Sequence, residues 1–164
     1  MNKNLVIGFG SEILSDQAII PDLINNIRTE FSDRIDFECE LISSLDLIGL
    51  FESYDKLLIL DTIQNPNIRV GAMQYYSLVD YKPSLHLENY HDSSIVESIE
   101  TANQLRIKMP DKVGIVVINV KEIYTLGKEY SFELKSNYPV LLHKLKTTLK
   151  HFFEMKDVKS LVVE

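Results

Sequence analysis

One cysteine, no tryptophan and fewer bases than acids set the first limits on this 164-residue chain. Cys39 alone excludes an internal disulfide and any metal site built only from thiolates. It stands inside Asp36-Phe37-Glu38-Cys39-Glu40-Leu41, whose alternation reads as a strand, so a buried, inert thiol is expected rather than a nucleophile. No apolar run approaches the roughly 20 residues of a membrane span. The few apolar residues between Asn4 and Gly8 make no signal-peptide core, so a cytoplasmic protein with no membrane partner is expected. Lys and Arg total 17 against 24 Asp and Glu, a formal charge of −7 with a pI near 5.1. That balance argues against a general nucleic-acid or anionic-membrane surface and leaves room for a basic partner or a cation. No Gly-x-Ser-x-Gly is present, which removes the nucleophile elbow of the serine hydrolases. Gly8-Phe9-Gly10 starts like a dinucleotide fingerprint, but Ile13 occupies the place of its third glycine.

What is present is an ordinary globular composition, 45% hydrophobic and 25% charged, enough for one domain over residues 1–164. Leu5-Val6-Ile7, ended by Gly8, reads as a short buried strand of a parallel sheet. Leu23, Ile24, Ile27 and Phe31 recur at helical spacing and predict an amphipathic helix over 20–32, with Pro21 in its first turn. A second strand follows near Asp36 to Leu41, then a short helix through Leu47, Leu50 and Phe51 with Ser44 as its cap. Lys56-Leu57-Leu58-Ile59-Leu60-Asp61 predicts a central strand with Asp61 at its carboxyl end. Val70 to Tyr76 alternates loosely, as an edge strand does. Ile95, Ile99, Ala102 and Leu105 mark a third helix capped by Asp92 or Ser93. Val113 to Val120 is a second fully buried strand. A polar loop is expected from Lys121 to Asn137, and a last helix from about Pro139 with Leu141, Leu145, Leu149 and Phe152 on its apolar side. Strands alternating with helices predict an α/β fold: a three-layer α/β/α sandwich around a twisted, mostly parallel sheet with one antiparallel edge strand.

Open sheets of this kind place their sites outside the carboxyl ends of the strands. Asp16 follows the first strand, Asp61 ends a central one, and His91 precedes a helix that leads into another. Two carboxylates and an imidazole are a reasonable divalent-metal set. The same residues also read as two loop caps and a helix-start residue bonded to backbone. His143 and His151 fall among lysines on the last helix and read as a solvated face. A phosphoacceptor domain is a further reading, with Asp61 ending its strand and Lys121 after a later one. Against it, the first strand ends in glycines rather than in acids that hold magnesium.

Four stretches together resemble one family. Gly8-Phe9-Gly10-Ser11-Glu12-Ile13-Leu14-Ser15-Asp16-Gln17 is similar to a Gly-x-Gly-Asn-x-Leu-x-x-Asp-Asp/Glu opening. Leu57-Leu58-Ile59-Leu60-Asp61 resembles an acid-terminated strand, Val70-Gly71-Ala72-Met73 a Pro-Gly-containing edge, and His91-Asp92 a histidine segment. The family is that of the hydrogenase maturation endopeptidases, which remove a C-terminal extension from the large subunit of nickel–iron hydrogenase after the metal is installed. The resemblance implies a large-subunit precursor as partner and nickel, or another divalent ion, carried by that precursor. Carried across position by position, the family's metal-contacting positions fall on Gln17, Asp61 and His91, with Asp61 and His91 as the catalytic pair. Gln17 stands where the family has a carboxylate. An amide oxygen ligates without charge, which implies weaker metal contact and weakened or lost cleavage. Leu41-Ile42-Ser43-Ser44 replaces a Gly-Thr element thought to help recognise substrate. The alternative implied by both departures is a non-catalytic, precursor-binding maturation chaperone on the same scaffold.

Overall fold

A computed structural model describes residues 3–39, 44–81 and 90–155, and excludes the side chains at 44 and 90–94. Five strands are present in it: β1 (Asn4–Gly8), β2 (Asp36–Cys39), β3 (Lys56–Ile63), β4 (Met73–Ser77) and β5 (Lys112–Asn119). They form a single sheet in the order β2-β1-β3-β5-β4. The first four in that order are parallel, and β4 closes the edge antiparallel to β5, as the sequence predicts. The helices are α1 (Ile19–Phe31), α2 (Ser44–Ser53), α3 (Tyr90–Gln104) and α4 (Phe132–Phe152).

The central strands are apolar on both sides because both sheet faces are covered. On one face Val6, Leu58 and Val116 pack with Leu23 and Ile27 of α1 and Leu141 and Leu145 of α4. On the other, Leu5, Ile59 and Val117 pack with Leu47 and Phe51 of α2 and Ile95 and Ala102 of α3. Each fully buried leucine or isoleucine of these sets stabilises the fold by about 1.5–3 kcal/mol relative to exposure. The result is the three-layer sandwich expected.

Several boundaries differ from the expectation, each for a local reason. β3 continues through Ile63, because Thr62 and Ile63 still pair with Ile118 and Asn119; Asp61 therefore lies inside the strand rather than at its tip. The edge strand starts at Met73 because Gly71 takes a positive φ of 79° and turns the chain first. α3 starts at Tyr90, so Asp92 and Ser93 lie within it rather than capping it. α4 begins two turns before Pro139, at Phe132, and runs through the proline. Pro139 leaves the Lys135 carbonyl without its intrahelical donor, but Lys135 is exposed to solvent. Cys39 is half-buried in β2, and His143 and His151 are exposed. The expected extension of β2 to Leu41 and the changed element at 41–43 lie outside the described residues.

Candidate functional site

The site is built from the loop after β1. Phe9 N donates to Leu60 O at 2.9 Å, so this loop leaves the sheet directly beside Asp61. A Cβ on Gly10 would lie 2.7 Å from the Gln17 carbonyl oxygen, so only glycine allows this close return of the chain. A short 3-10 turn, Ser15–Ala18, then leads into α1.

Asp16 in that turn is fully enclosed, and its carboxylate is taken up by protein groups. Oδ2 accepts from the amides of Lys121 at 3.0 Å and Glu122 at 3.1 Å and from Ser131 Oγ at 2.9 Å. Oδ1 accepts from Ser131 N at 2.7 Å. This is the loop-capping reading of Asp16, not the ligand reading. The acid ties the segment between β5 and α4 to the loop after β1 and caps α4 from outside the helix. Ser131 is the N-cap residue, but its hydroxyl donates to Asp16 instead of bonding its own helix. Sequence reasoning missed Ser131; a serine just before Phe132-Glu133-Leu134 is the start signal that marks it.

Gln17, adjacent to that clamp, is half-buried, and its Nε2 donates to Ile123 O at 3.0 Å. Asp61 is wholly buried, with Oδ1 accepting from Thr62 N at 2.7 Å. Strand alternation puts Asp61 with Ile59 and Ile63 on the face covered by α2 and α3. α3 delivers the chain to β5 at Lys112, the amino edge of the sheet, so its first turn lies toward the carboxyl edge. His91 is in that first turn, on the face Asp61 shares; its side chain lies outside the described residues. Topology thus brings the loop carrying Gln17, Asp61 and the α3 start to one edge. Among the described residues no three His, Cys, Asp or Glu side chains group as a metal site. The donor chemistry available at that edge is therefore one buried carboxylate and one amide, with an imidazole on the helix that enters there.

Two further polar residues frame the edge. Asn119, 1% exposed, donates through Nδ2 to Asn65 O at 3.2 Å and Ile68 O at 2.6 Å and accepts from Asn65 N at 2.8 Å, pinning the loop after β3. Gln74 on β4 shares Val117 as register partner with Asp61, and its Oε1 is buried without a hydrogen-bond partner. Neither was legible from spacing. The phosphoacceptor reading loses its footing here: Lys121 Nζ, its second element, pairs with Glu133 Oε1 at 3.2 Å.

No sequence-family model matches the chain, and no curated protein sequence does. Solved structures do. The hydrogenase maturating endopeptidase HybD from E. coli superposes with a TM-score of 0.69 over 91% of this chain and 93% of its own, at 16% identity. The chain has the fold of the hydrogenase maturation endopeptidases. An endopeptidase from Escherichia coli gives 0.71 over 91% and 93% at 17% identity. The [NiFe] hydrogenase maturation protease HybD from Thermococcus kodakarensis gives 0.66 over 88% and 97%, also at 17%. At these identities the likeness is one of fold, and it spans the endopeptidase fold nearly end to end. No helix among the described residues is long and apolar enough to cross a membrane.

Proposed function

We propose that this chain acts in nickel–iron hydrogenase maturation, as an endopeptidase that removes the C-terminal extension of the large-subunit precursor once nickel is in place. The observation that carries this reading is the endopeptidase fold over about nine-tenths of the chain, together with Asp61 and the start of α3 at one sheet edge. Nickel is part of the substrate here. Held by the precursor, it supplies Lewis acidity to the scissile carbonyl or to a bound water.

The chain's own residues position that centre. Asp61 offers negative charge from a site closed to bulk water, where its attraction for a cation is little screened. Gln17 offers a neutral amide on the loop beside it, and His91 offers an imidazole from the α3 start. The net charge of −7 suits a basic stretch of the precursor.

The test is to incubate purified protein with nickel-loaded and nickel-free precursor and follow the large subunit's mass. Shortening only of the loaded form, abolished by Asp61→Ala and by His91→Ala, is the expected result. Full processing by both variants removes the assigned residues. A second reading is favoured by the amide at position 17: a precursor-binding chaperone without cleavage. It predicts a stable complex with the loaded precursor and no change in its mass.

A further inference from the structure

We propose that the Gln17 amide is locked in one orientation by the Ile123 carbonyl, so that position 17 is built for an amide and not for a carboxylate. The inference rests on the reading of this edge as the precursor-facing site.

A backbone carbonyl only accepts, so the atom that Gln17 turns toward Ile123 O must be its NH2 group, at 3.0 Å. The amide is planar, and Oε1 is therefore turned away from that carbonyl. Ile123 is not free to move. Two residues upstream and one upstream, the Lys121 and Glu122 amides donate to buried Asp16. Two residues downstream, Thr125 O accepts from Ser15 N at 2.9 Å, and the Ile123 side chain itself is 5% exposed. The carbonyl that reads position 17 is thus held from both sides by bonds to the same turn that carries Gln17.

A glutamate at 17 would set a carboxylate oxygen against a fixed carbonyl oxygen, acceptor against acceptor. It would have to swing out of place and lose the bond. Replacing the amide by the family's acid is therefore not a restoration in this chain.

Three measurements on the full chain test this. In 15N-labelled protein the Gln17 side-chain NH2 should exchange at least tenfold more slowly than an exposed glutamine. Gln17→Glu should lower the melting midpoint by about 2–4 °C, the shift expected for one lost hydrogen bond in a chain of this size. Titrated with nickel(II) alone, it should bind less than tenfold tighter than the parent. Fast NH2 exchange, an unchanged midpoint, or a nickel affinity raised tenfold or more would each overturn the proposal. If Gln17→Glu does not fold, Gln17→Met, which keeps length without a donor, should show a similar drop in midpoint; no drop overturns the proposal equally. A parent that fails to process the loaded precursor defeats the proposed function but leaves these three readouts intact, so the two failures are told apart.

Discussion

Asp16 Oδ1 and Ser131 N meet at 2.7 Å across 115 residues of sequence. This one contact joins the turn after the first strand to the start of the last helix. It makes the position of α4 depend on an acid that the sequence alone offers as a metal ligand. With no solvent exposure and four donors around it, the carboxylate has a structural role.

Asp16→Ala should therefore cost about 3 kcal/mol or more, since three backbone amides and a hydroxyl lose a charged acceptor in a buried setting. Urea denaturation measures the loss, and hydrogen exchange should show it first at Lys121, Glu122 and Ser131. A loss under about 1 kcal/mol would mean that water replaces the carboxylate.

Asn119→Ala removes three hydrogen bonds from a residue 1% exposed. The expected cost is about 2–3 kcal/mol, with amide exchange accelerated over residues 64–71 ahead of the rest of the sheet. Uniform acceleration across all strands would refute the local role.

Gln74→Met should stabilise the fold, by about 1 kcal/mol, because it deletes a buried acceptor that has no donor while keeping side-chain length. A melting curve decides this, and a lower midpoint contradicts it.

Gly71→Ala forces a side chain into φ 79° and brings its Cβ to 2.5 Å from Asn137 Nδ2, which donates to Gly71 O at 2.6 Å. The backbone conformation alone costs about 1–2 kcal/mol. Thermal melting should show at least that penalty.

The alkaline limb of stability should carry a tyrosine signature. Burial, then the hydrogen bond donated to Asp36 Oδ2 at 3.0 Å, pushes the Tyr54 phenol up from 10.0 to about 12. Burial also raises Tyr130, whose hydroxyl donates to Asp22, and raises Tyr75 and Tyr138. A raised folded value means the neutral phenol is the form the fold favours. The contribution is whole below pH 10 and fades as pH climbs through about 12. Tyr54→Phe should flatten that decline in a pH series of denaturation midpoints. An unchanged slope would show that Tyr54 titrates alike in both states.

Much of this architecture was legible in the sequence because its signals are local. The α1 spacing of Leu23, Ile24, Ile27 and Phe31 gives Ile19–Phe31 to within a residue at each end. The apolar runs of β3 and β5 mark two buried strands, which the sheet then places side by side. The start of α4 was not legible, because Pro139 is a strong local start signal. It is overruled by Leu134, wholly buried in the core, and by an acid 115 residues away. The role of Asp16 was hidden for the same reason: its four donors lie 105–115 residues downstream. Asp61 was found as a strand acid, while its place inside β3 follows from pairing with β5 that no window of sequence contains.

The antiparallel edge strand has a consequence for synthesis on the ribosome. β4 precedes β5 in the chain, yet β5 is its sole ladder partner among the described strands. Nascent Met73–Ser77 must wait unpaired until residues 112–119 have emerged, while β1, β2 and β3 have all their mutual contacts available earlier. A translation product stopped before Lys112 therefore offers a bare ladder edge to any neighbouring polypeptide.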